Sequence, residues 1–123
     1  MRVLVVDDEE MIRQLVRVTL SRDTRLEVFE ADSGEAALER VREHDPDLVI
    51  LDVRMPGIDG VEACRQIRAE HGTERPLVVM LTALGQDEDL ARYREAGATD
   101  HFIKPFSPRS LLEHIYGMLD IAA

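Results

Sequence analysis

Three uninterrupted apolar runs, Val3–Val6, Leu48–Leu51 and Leu77–Leu81, constrain this chain more than any other feature. Each is too short for a helix and has the composition of a strand buried on both faces. The first two end in carboxylates, Asp7-Asp8 and Asp52. If those runs are neighbouring parallel strands, three acids meet at one sheet edge. Two charges ~5 Å apart repel by ~3 kcal/mol at an effective dielectric of ~20. Three such pairs approach ~10 kcal/mol, comparable with the ~5–15 kcal/mol stability of a whole domain. An arrangement that costly is explained by a divalent cation.

Strands are expected at residues 2–6, 26–31, 48–51, 77–81 and about 100–103, alternating with helices. Ile12, Leu15, Val16 and Thr19 recur at the spacing of one helix face. A second helix opens at Asp32 or Ser33, with Glu35 placed for a capping box from Asp32, and buries Ala37, Leu38 and Val41. The third carries Val61, Cys64 and Ile67, the fourth Leu90 and Tyr93, and the fifth Leu111, Leu112, Ile115 and Leu119. This is an α/β pattern: a five-stranded parallel sheet, flavodoxin-like and doubly wound, with five helices. The second strand alternates and the fifth is short and mixed, so both are edges; order 2-1-3-4-5 follows. The first and third strands are then neighbours, and the acids gather at the switch point where open α/β sheets bind ligands.

At 123 residues the chain reads as one domain, 1–123. Its net charge of −10 argues against direct nucleic-acid binding. No run is long enough for membrane insertion, and the single Cys64 suits a reducing cytoplasm, the expected location. Cys64 and the Arg- and Glu-rich helix faces read as packing and solvated surface, and His44, His71 and His114 as surface residues.

Two further residues end strands at the same edge, Thr82 after Leu77–Leu81 and Lys104 after Phe102-Ile103. Three carboxylates, a hydroxyl and an ammonium around a divalent cation suit phosphoryl transfer. Hard oxygen donors favour Mg²⁺, with Mn²⁺ as a substitute. No GxxxxGK[ST] or GxGxxG occurs, so the phosphoryl group comes from something other than a locally bound nucleotide.

Val5-Val6-Asp7-Asp8-Glu9, then Leu51-Asp52-Val53-Arg54-Met55-Pro56-Gly57-Ile58-Asp59-Gly60, Leu81-Thr82-Ala83, Gly97-Ala98 and Lys104-Pro105-Phe106 together resemble two-component response-regulator receiver domains. The resemblance implies that Asp52 accepts a phosphoryl group from a sensor histidine kinase or a histidine phosphotransfer protein. Asp8 would ligate Mg²⁺ directly and Asp7 mainly through water, with Asp52 and the backbone carbonyl of Arg54 completing the protein ligands. Lys104 would pair with the phosphoryl group and Thr82 would move to hydrogen-bond it. The Lys104-Pro105 bond would be cis. Such a domain is a phosphoacceptor that promotes its own phosphorylation and dephosphorylation rather than a turnover enzyme, and it controls an output domain or a downstream protein. The family also pairs through the surface of its fourth helix, fifth strand and fifth helix, which makes a homodimer there an expected assembly.

The family usually has Tyr or Phe as a switch residue three positions before the lysine; His101 stands there. Its DNA-binding members carry Arg where the fifth helix has His114. Ala83, Pro105, Arg54 and Leu84 flank the reacting residues as modulators. Arg54 and Leu84, two residues beyond Asp52 and Thr82, are bulky and should hinder an in-line water, giving a long-lived phosphoryl group. The competing reading is a degenerate receiver that acts only as a protein-interaction module.

Overall fold

The computed structural model describes residues 1–83 and 90–122. Its strands are β1 (Arg2–Val6), β2 (Glu27–Ala31), β3 (Leu48–Asp52), β4 (Leu77–Ala83) and β5 (Asp100–Lys104). Its helices are α1 (Glu10–Ser21), α2 (Gly34–His44), α3 (Gly60–His71), α4 (Leu90–Ala96) and α5 (Pro108–Leu119). The strands pair in parallel in the order β2-β1-β3-β4-β5, as the burial argument requires. Among the described residues no helix is long and apolar enough to cross a membrane.

Alternation along the central strands divides the core in two. Leu4, Val6, Val49, Leu51, Val78 and Met80 pack against α2, α3 and α4 through Leu38, Val41, Val61, Cys64, Ile67 and Tyr93. Val3, Val5, Leu48, Ile50, Val79 and Leu81 pack on the opposite face against α1 and α5 through Val16, Leu20, Leu111 and Ile115. Burying each such Leu, Ile or Val is worth about 1.5–3 kcal/mol. The central strands are therefore the stable frame, and the site stands on their ends.

Several local expectations are corrected. β3 and β4 run on through Asp52 and Thr82, because ladder pairing continues past the apolar run: Asp52 lies opposite Leu81, and the Val53 N–H donates to the Leu81 carbonyl at 3.0 Å. The α2 cap is Ser33, whose hydroxyl accepts from the Ala36 N–H, and Glu35 forms no capping box with Asp32. Its carboxylate instead accepts from the Ile58 N–H at 3.1 Å. Leu15 and Leu90 are exposed, at 39% and 42%. His44 stacks on Phe29 with ring centroids 3.9 Å apart, and His114 packs on Phe102 with its Nε2 at 3.0 Å from Asp100. Both rings cover an aromatic that lone-residue reasoning could not see; His71 is at the surface.

Candidate phosphoacceptor site

Four strand ends build one site. β1 delivers Asp7 and Asp8 just beyond its last residue, β3 ends on Asp52, β4 carries Thr82 next to its end, and β5 ends on Lys104. One carboxylate oxygen from each of Asp7, Asp8 and Asp52 lies within 4.8 Å of the others. Asp7 is fully buried and Asp52 nearly so, while Asp8 faces solvent. The Glu9 N–H donates to Asp7 Oδ1 at 2.9 Å, which fixes the turn from β1 into α1. Lys104 reaches back across the end of β4, and its Nζ donates to Asp7 Oδ2 at 3.1 Å and to Asp52 Oδ1 at 3.3 Å.

The electrostatics show a cluster short of positive charge. Burial, then the charge of Asp7, pushes the Asp52 carboxyl up to about 7, against the pull of Lys104. Burial would lower the Lys104 ammonium, but the charges of Asp52 and Asp7 outweigh it and hold the group above the ordinary lysine value. One ammonium thus leaves a buried acid that gives up its proton reluctantly, and a divalent cation would remove that penalty. Three hard oxygen donors, one open to solvent for retained waters, fit Mg²⁺.

Beside the acids lies a cavity of about 220 Å³ lined by Asp52, Arg54, Thr82, Ala83, Tyr93 and Lys104. Thr82 is 7% exposed, on the rim of this space. The Arg54 N–H approaches Asp52 Oδ1 at 3.4 Å and its side chain is exposed at the mouth. The Lys104-Pro105 peptide is cis. Gly60 opens α3 directly over the Asp52 carbonyl, where an added Cβ would fall inside the van der Waals surface of that oxygen. Leu84 lies outside the described residues. His101 lines a separate, adjoining cavity of about 120 Å³ with Leu90, Tyr93 and Arg94. Tyr93 borders both spaces, a position that sequence reasoning missed because an aromatic on a helix's apolar face reads as core.

A family model described as "Response regulator receiver domain" matches residues 3–116. The chain belongs to that family. This receiver domain is 42% identical over 118 residues to the transcriptional regulatory protein ResD of Bacillus subtilis, an alignment covering 96% of this chain and 48% of ResD. It is 38% identical over 118 residues to the phosphate regulon transcriptional regulatory protein PhoB of Escherichia coli, covering 96% of this chain and 51% of PhoB. The chain thus spans about half the length of these curated relatives. Among solved structures, a putative response regulator from Chloroflexus aurantiacus superimposes with a TM-score of 0.86 at 36% identity, covering 97% of both chains. The chemotaxis protein CheY4 of Vibrio cholerae gives 0.86 at 34% identity, covering 94% of this receiver and 96% of that chain.

Proposed function

We propose that residues 1–123 form one receiver domain that takes a phosphoryl group onto Asp52 and thereby controls an output domain or partner protein. The donor is a phosphohistidine of a sensor kinase or phosphotransfer protein. A carboxylate oxygen of Asp52 attacks phosphorus in line, the phosphorus–nitrogen bond breaks, and the departing imidazole nitrogen keeps the electron pair and takes up a proton. Asp7, Asp8, Asp52 and the Arg54 carbonyl would hold Mg²⁺, which when bound neutralises phosphoryl and carboxylate charge. Lys104 orients the phosphoryl oxygens and balances their charge, and Thr82 donates a hydrogen bond to one of them. Arg54, exposed at the mouth, slows hydrolysis by crowding the approach of water, and Leu84 is assigned the same role from its sequence position two residues beyond Thr82.

The observation that carries this reading is the Lys104 ammonium bridging Asp7 and Asp52 inside a three-carboxylate cluster. All five reacting side chains gather at one sheet edge, which favours an active receiver over a degenerate one. Acetyl phosphate with Mg²⁺ should add one acid-stable, base-labile phosphoryl group by mass spectrometry. Undiminished addition to Asp52→Asn would refute the assignment.

A further inference from the structure

The loop of residues 53–59 joins β3 to α3 and includes Arg54, whose carbonyl is assigned above to Mg²⁺. Its base is closed by the Gly60 N–H donating to the Val53 carbonyl at 2.9 Å. Its tip is fastened to a different element. Glu35, in the first turn of α2, accepts from the Ile58 N–H at 3.1 Å. Gly57, in the left-handed region at φ +76°, turns its bare α-carbon toward that carboxylate: an added Cβ would lie 3.1 Å from Glu35 Oε1. Gly34 completes the seat, because a Cβ there would meet Ile58 Cγ1 at 2.6 Å and the Ile58 carbonyl at 2.8 Å. The N-terminus of α2 is therefore shaped to receive Gly57-Ile58.

We propose that Glu35 is a positioning residue that sets the Mg²⁺ affinity of the site by latching this loop. The inference rests on the metal-dependent reading above. A carbonyl ligand on a loop held at both ends is ordered before the ion arrives; on a loop free at its tip, the ordering cost falls on binding. Glu35 belongs neither to the acidic cluster of Asp7, Asp8 and Asp52 nor to the lining of the cavity beside them. It acts through the backbone from Ile58 to Arg54, and acceptor geometry rather than charge is what the latch requires.

Calorimetric Mg²⁺ titration of the purified chain tests this, with thermal melts in EDTA alongside. Glu35→Ala should weaken Mg²⁺ binding about three- to tenfold, the range of one net hydrogen bond. Glu35→Gln, which keeps an oxygen acceptor, should stay near the wild-type value. Glu39→Ala removes the same charge one turn further along α2 and should also bind as wild type. Unchanged affinity in Glu35→Ala, even with a lowered melting temperature, would make Glu35 merely structural and overturn the inference. Equal weakening in Glu35→Gln or Glu39→Ala would assign the effect to charge and overturn it too. A wild-type chain that fails to bind Mg²⁺ would instead overturn the metal-dependent function itself.

Discussion

Lys104 and Asp52 meet at 3.3 Å although β4 stands between their strands. Neighbouring strands lie about 4.8 Å apart, so the lysine spans the whole width of β4 to reach the acid. It does so half-buried, and its ammonium is shared between Asp7 and Asp52. On the proposed function, stability, metal affinity and phosphoryl chemistry would all be linked through this one ammonium.

The raised carboxyl of Asp52 contributes a dependence of stability on pH above the range where the lowered carboxyls of Asp23, Asp47 and Glu70 titrate. Its folded value of about 7 stands above the ordinary 3.8, so the folded state holds its proton longer than the unfolded state. That contribution is full below the ordinary value and is lost as pH rises through about 7. In EDTA, wild type should lose stability between pH 4 and pH 8 by an amount on the order of a few kcal/mol. Asp52→Asn should flatten that loss and melt higher at pH 8. Urea unfolding of both proteins across this range checks it; equal stability at pH 8 would count against the unshielded acid cluster.

Replacing Lys104 separates its two roles. Lys104→Met leaves Asp7 and Asp52 without their shared cation, and breaking a buried pair costs about 3–5 kcal/mol where no relief is available. Protonation of Asp52 provides some relief, so a smaller loss is expected in EDTA at neutral pH. Saturating Mg²⁺ should then raise the melting temperature of the variant more than that of wild type. A smaller increment in the variant would show that Lys104 assists the metal rather than competing with it.

Arg68 supplies a test of the scaffold behind the site. Arg68 is 9% exposed, and its Nε donates to the Gly97 carbonyl at 2.8 Å and its Nη1 to the Pro76 carbonyl at 2.6 Å. Burial holds it below the usual arginine value. It ties α3 to the start of β4 and to the turn between α4 and β5. Arg68→Met should cost about 2–4 kcal/mol in urea unfolding, since two carbonyls lose a charged donor. Arg68→Lys should recover little, because an ammonium cannot reproduce the planar fork.

The sheet order was legible because burial leaves a compositional trace: the four buried residues Val3–Val6 and the half-exposed Glu27–Ala31 differ in kind. The approximate placement of Asp7, Asp8, Asp52, Thr82 and Lys104 followed from strand order, since each stands at a strand end. Glu35 was misread because its partner, the Ile58 N–H, lies 23 residues away and a main-chain donor has no sequence signature. Arg68 resembled a solvated helix charge for the same reason: its acceptors are carbonyls. His114 was read as surface because the aromatic beneath it, Phe102, comes from another element.

Phosphorylation of Asp52 is expected to be reported outward through β5. His101 lies opposite Met80 in the β4–β5 ladder, on the sheet face that Thr82 shares. Its side chain is 36% exposed, with Nδ1 3.8 Å from Asp100. The spaces beside Asp52 and beside His101 are distinct, but Tyr93 borders both. A shift of Thr82 toward a phosphoryl group would free room that Tyr93 and the imidazole can take up. His101→Ala should therefore keep the phosphorylation rate with acetyl phosphate while the ratio of partner affinities, phosphorylated to unphosphorylated, falls toward one. Tyr93→Leu should shrink the same ratio, because it alters the wall between the two spaces. Full retention of the ratio in both variants would route the signal away from β5, and a lost phosphorylation rate in His101→Ala would make the histidine part of the reacting site instead.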